Sequence, residues 1–170
     1  VNVKLVTNYP YGDTIKLVID GAGDFTVKTR VPAWATNGYT VTVNGEAYGE
    51  GTPDSYMDIS GSWAKGDVIE ITMPVAWHYD KLNEDTNVRS LCYGPLVMAC
   101  PETSASATLR PLSLEYDLKN SVTAFNRETL EGTIDGISFK PLTDYRPVGT
   151  SSGNVNGSRR SVYFDVTSND

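Results

Sequence analysis

The chain is poor in the side chains from which active sites are most often assembled: 170 residues contain 1 His and 2 Cys. It also lacks positive charge, with 14 basic against 21 acidic residues and a net charge of −7, of which −5 falls in residues 1–100 and −2 in 101–170. Neither part offers a basic face to phosphates, so no nucleic-acid partner is expected. No apolar run approaches the roughly 18 residues that a membrane helix needs, and no membrane partner is expected. Nowhere do apolar residues recur at helical spacing over about a dozen positions. The opening VNVKLV is neither a signal peptide nor an initiator methionine. The chain is therefore expected to be a trimmed piece of a larger protein, any secretion signal lying upstream, and to work in the periplasm or outside the cell.

What the sequence has instead is alternation. In TIKLVID, Ile15, Leu17 and Ile19 share one face; in FTVKTRVP, Phe25, Val27, Thr29 and Val31 oppose Thr26, Lys28 and Arg30. YTVTVNG groups Tyr39, Val41 and Val43 and ends in Asn44-Gly45, a pair suited to the positive φ angles of a tight hairpin. Ala64-Lys65-Gly66-Asp67 reads as a turn, with Trp63 before it capping the core and VIEITMP after it placing Ile69, Ile71 and Met73 together. AWHYDKLN reads as a further strand, and RSLCYGPLVMAC (89–100), the least polar stretch, as a long final one. Such spacing predicts an all-β chain: an antiparallel, jelly-roll-like β-sandwich over 1–100, then a smaller β unit over 101–170 packed against it. PETSASAT (101–108) reads as the linker, PLSLEY, ISFKPL and SVYFDV as strands, and the serine- and glycine-rich PVGTSSGNVNGSRRS (147–161) as a loop.

The chemistry-bearing residues are few enough to weigh singly. Fully extended, Cys92 and Cys100 would stand about 26 Å apart at ~3.3 Å per residue, far outside disulfide range. Zinc needs about four ligands, and His78 has no obvious partner beside either thiol in the sequence. Both cysteines are accordingly expected to fill a core. In HYDKLNED, alternation puts His78 and Asp80 on one strand face and leaves Glu84 and Asp85 in the turn, so a solvated strand end is expected rather than a metal site. No carboxylate pair can be picked out by spacing, and no Ser sits in a nucleophile elbow. Catalytic, cofactor-binding and metal-ligating residues are therefore expected to be absent. Asn156-Gly157-Ser158 is a formal glycosylation acceptor, which means nothing if the source is bacterial. Flat rings stack on sugar faces, which makes Trp34, Trp77, Tyr9 and Tyr11 candidates for carbohydrate contact. A binding module would place at least two of these rings coplanar on one exposed face.

Four stretches in order carry a further likeness: FTVKTRVPAWA (25–35), VTVNGE (41–46), WAKGDVIEITMP (63–74) and VRSLCYGPLVMA (88–99). Together they resemble the region that follows the catalytic barrel in glycoside hydrolase family 127, the β-L-arabinofuranosidase-like family first catalogued as a domain of unknown function. ISFKPLTDYRP and RRSVYFDV look like that family's terminal strands. The resemblance implies an (α/α)6 barrel bearing a zinc-bound cysteine nucleophile, with glutamate and further cysteine ligands, none of whose motif positions lie in this chain. It implies a non-catalytic β-sandwich region whose partner is the barrel of the parent chain. A carbohydrate-binding module holding a plant or host glycan is the competing expectation, and an adhesion sandwich a third.

Overall fold

The computed structural model describes residues 1–84, 87–101, 110–113, 122–134, 136–144, 160–161 and 163–167. These form strands joined by turns, with one 3-10 helix (Leu142–Asp144) and no α-helix among the described residues. The chain divides into two compact units, Val1–Ala76 and Trp77–Asp170.

The first unit contains β1 (Asn2–Thr7), β2 (Thr14–Asp20), β3 (Gly23–Val31), β4 (Thr40–Val43), β5 (Glu46–Glu50), β6 (Ser55–Trp63) and β7 (Val68–Thr72). Five strands pair in the order β1-β2-β7-β4-β5, while β3 and β6 form a separate two-stranded ribbon in register from Gly23↔Trp63 to Val31↔Ser55. Every pairing here is antiparallel. The predicted alternation is realised in β3, where Asp24, Thr26, Lys28 and Arg30 are exposed and the residues between them turn inward. Ile19, Val41, Ile69 and Ile71 from the sheet meet Val31, Ile59 and Trp63 from the ribbon in one buried cluster. Burying each such aliphatic side chain contributes about 1.5–3 kcal/mol, which is what holds ribbon to sheet. Trp63 closes the cluster as expected, its indole N–H donating to the Phe25 carbonyl at 2.8 Å.

The turns follow their chemistry. Asn44 and Gly45 take φ angles of 52° and 87°, and the hairpin β4–β5 forms around them. Asn44 also ties this turn to the next one. Its side-chain amide donates to Asp67 Oδ1 at 3.0 Å, and its side-chain oxygen accepts the Val68 N–H at 2.9 Å. Asp67 Oδ2 in turn accepts the Ala64 N–H at 2.7 Å, closing the Ala64–Asp67 turn.

The second unit contains β8 (Trp77–Lys81), β9 (Val88–Tyr93), β10 (Leu96–Pro101), β11 (Arg110–Ser113), β12 (Thr123–Asn126), β13 (Glu131–Ile134), β14 (Ile137–Pro141), β15 (Arg160–Ser161) and β16 (Tyr163–Thr167). Its sheet runs β11-β16-β9-β10-β14-β13-β12, with β8 paired to β9 and β15 to β10. The β11–β16 pair is parallel, and the remaining pairs are antiparallel.

Three features differ from the sequence reading. The division between units falls at Ala76/Trp77 rather than after Cys100. The reason is that β9 and β10 hydrogen-bond to β16 and β14, strands that lie far downstream. The stretch 89–100 is not one long strand but the hairpin β9–β10: Gly94 takes φ 52°, the chain reverses at Gly94-Pro95, and Leu96 pairs back with Tyr93. Strands β12 and β13 had no sequence signal, because each has four residues and their pairing is broken by a register shift between Thr123 and Asn126. The expected linker 101–108 and loop 147–161, with the Asn156 acceptor, lie outside the described residues apart from Pro101 and Arg160–Ser161.

Gly51 marks a close approach in the first unit. A Cβ there would lie 2.6 Å from Val31 Cγ2 and 2.7 Å from Tyr39 Cδ1, both core side chains. Gly51→Ala should destabilise the chain by about 1–3 kcal/mol through overpacking, read as a lowered urea midpoint with unchanged m.

Candidate functional site

The aromatic candidates separate into two places. Tyr9 lies in the β1–β2 loop, where its N–H donates to Thr7 Oγ1 at 2.9 Å and the Asn8 carbonyl accepts the Tyr11 N–H at 2.9 Å. Trp34 lies in a tight turn after β3, in which Ala35 N–H donates to the Pro32 carbonyl at 3.0 Å. The rings of Tyr9 and Trp34 stack with centroids 6.3 Å apart and planes 20° apart. Both are half-buried and pack on the first unit's core. Tyr11 is exposed. Trp77 stands in the second unit among other rings, 4.7 Å from Tyr93 and 5.0 Å from Phe125, in tilted and edge-on arrangements that favour ring quadrupoles.

The strands that place Trp77 also build a polar group on their other face. In the β8–β9 ladder Trp77 pairs with Tyr93, His78 with Cys92, and Asp80 with Ser90. Because successive side chains of a strand point to opposite faces, His78, Asp80, Ser90 and Cys92 occupy four neighbouring positions of one face, away from the aromatic side. His78 Nδ1 lies 3.5 Å from Asp80 Oδ1, and the Cys92 thiol donates to Asp80 Oδ2 at 3.7 Å. Ser90 Oγ is 3.9 Å from Cys92 Sγ. His78 Nε2 is 2.9 Å from the Gly94 carbonyl, an acceptor only, so this nitrogen carries a hydrogen and donates it. The group runs from interior to solvent: Cys92 is 2% exposed, whereas the Asp80 side chain is 70% exposed.

The sequence placed His78 and Asp80 on one face, and they do share it. The expectation that His78 stands beside neither thiol is corrected, because the ligand atoms of His78, Asp80 and Cys92 lie within 4.8 Å of one another. Residue spacing could not reveal this, since the register of β8 on β9 is set across the intervening loop. The signal that was present is the matched pair H-Y-D and S-L-C, each putting two polar side chains at alternate strand positions. Glu84 is exposed in the turn beyond β8, and Asp85 lies outside the described residues. Both cysteines are buried, as core filling requires, though Cys92 also has the polar neighbours just described.

Burial pushes the Cys92 thiol up from 9.0 to about 11, with the Asp80 carboxylate adding to the shift and Ser90 opposing it. At neutral pH Cys92 is therefore a thiol, not a nucleophilic thiolate. The folded chain keeps this proton to higher pH than the unfolded chain does, so the associated stability is complete below pH 9 and is lost as pH rises through about 11. In chelator-treated buffer the wild type should lose about 2–3 kcal/mol more than Cys92→Ala between these limits, measured by urea unfolding.

Fold and geometry define the class as an all-β sandwich followed by a second β unit. Residues 1–75 match the family model described as beta-L-arabinofuranosidase, GH127 middle domain, and the match ends at the boundary of the first compact unit. No curated protein matches the chain in sequence. Among solved structures, a glycoside hydrolase superposes with TM-score 0.69 at 17% identity, over 98% of this chain and 32% of its own. A GH127 beta-L-arabinofuranosidase from Geobacillus stearothermophilus T6 gives TM-score 0.64 at 22% identity, over 97% and 30%. A GH127 beta-arabinofuranosidase gives TM-score 0.65 at 20% identity, over 97% and 31%. The fold is thus shared along nearly the whole chain, and the chain spans about a third of the length of these structures.

Proposed function

We propose that the chain is a non-catalytic β-sandwich region of a bacterial glycoside hydrolase of the family 127 type, buttressing a catalytic barrel elsewhere in the parent chain. One observation carries the reading. The first strand of a unit that matches a GH127 middle domain is exposed along its whole length, including Val3, Leu5 and Val6. An apolar strand at a sheet edge is costly in water and is ordinarily covered, and a neighbouring module of the same chain is the cover best supported by the one-third coverage of the GH127 structures. The only group of at least three His, Cys, Asp or Glu side chains converging among the described residues holds its cysteine protonated, which favours a structural rather than a nucleophilic role.

Two measurements test this. The isolated chain should show no turnover of aryl arabinofuranosides, and activity that co-purifies with it through successive columns would overturn the non-catalytic assignment. Leu5→Glu should change the stability of the isolated chain by no more than about 0.5 kcal/mol, as for an exposed position, yet lower the melting temperature of the full-length parent. An equal effect in both, or none in the parent, would remove β1 as the docking strand.

A further inference from the structure

We propose that His78, Asp80 and Cys92 form a zinc site that clips the edge strand β8 to β9 in the second unit. The inference is independent of the accessory role above, since it concerns only the second unit's own ladder. The donors are one imidazole nitrogen, one carboxylate oxygen and one sulfur. This mixed set suits zinc, whereas calcium and magnesium require oxygen ligands alone.

The spacing fits a tetrahedron. Zinc bonds of about 2.0–2.3 Å imply ligand–ligand edges of about 3.3–3.8 Å. His78 Nδ1 approaches Asp80 Oδ1 at 3.5 Å and Cys92 Sγ approaches the other oxygen, Oδ2, at 3.7 Å, and one ligand atom from each of the three residues lies within 4.8 Å of the others. His78 and Cys92 are direct cross-strand partners and Asp80 stands two positions along the same face, so rotation of the exposed Asp80 carboxylate and the imidazole is the adjustment that would bring one oxygen, one nitrogen and the sulfur to these edges. The outer contacts of a metal site are already in place. The hydrogen bond from His78 Nε2 to the Gly94 carbonyl leaves Nδ1, the nitrogen facing Asp80, as the ligating atom, and Ser90 Oγ is positioned to donate to the Cys92 sulfur. Cys92 supplies a dry floor and Asp80 a solvent-facing rim through which an ion enters. On binding, the Cys92 S–H bond breaks, its proton passes to solvent and sulfur bonds zinc, with no change of oxidation state. A water molecule completes the fourth position.

The test titrates the reduced, chelator-treated 170-residue chain with cobalt(II) as a spectroscopic stand-in for zinc. One equivalent should produce a near-ultraviolet thiolate-to-cobalt charge-transfer band together with the visible bands of tetrahedral cobalt, and zinc should abolish both. Cys92→Ala should lose the charge-transfer band, while Cys100→Ala should keep it. Asp80→Asn, at an exposed position, should weaken zinc binding by at least about tenfold with an unchanged near-ultraviolet circular dichroism spectrum. Zinc should raise the melting temperature of the wild type by mass action and leave that of His78→Ala unmoved. No charge-transfer band at one equivalent, a band that follows Cys100, or zinc affinity unaltered in Asp80→Asn would each overturn the site.

Discussion

A twisted sheet with one apolar face cannot stand in water alone, and the first unit is organised around covering that face. The five-stranded sheet presents Ile19, Val41, Ile69 and Ile71, and the cover is a ribbon of just two strands, β3 and β6. So narrow a cover succeeds because the ribbon is long, nine residues in each strand, and ends in the broad ring of Trp63. The indole is pinned by its hydrogen bond to Phe25 and so serves as a lid at the end of the ribbon. The turn network of Asn44 and Asp67 then fixes where β4 ends and β7 begins, which decides which of their residues face the ribbon.

The second unit shows how one ladder can serve two chemistries. Strands β8 and β9 turn Trp77 and Tyr93 to one side, where Phe125 joins them, and His78, Asp80, Ser90 and Cys92 to the other. A slip of one residue in this register would exchange the faces, burying carboxylate and imidazole among the rings. The hairpin turn at Gly94-Pro95 guards against the slip from one end. Its carbonyl, held by His78, ties the register of β8 to the geometry of the turn.

Much of the first unit was legible because its strands obey period-2 alternation with clear punctuation: β3 reads polar and apolar in strict turn, and Asn44-Gly45 and Gly66 mark reversals. The second unit was less legible for physical reasons. Strand β9 is buried on both faces from Ser90 to Tyr93, so its apolar run carries no periodicity and blends into β10 across Gly94-Pro95. The pairing of β9 with β16 depends on contacts across some seventy positions of chain, which no local pattern encodes. The candidate site was half legible. Alternation brought His78 and Asp80 together, but only tertiary register could deliver Cys92 to them.

The first strand has a consequence for how this region behaves when separated from its surroundings. β1 pairs with β2 along one side and leaves its other row of backbone donors and acceptors facing water. Such a margin is a template on which a second molecule can add a strand, and Lys4 is the one charge within β1 that opposes this by placing like charges near each other in an antiparallel self-pairing. High ionic strength would screen that repulsion, making concentrated salt solutions the condition in which this margin recruits its own kind.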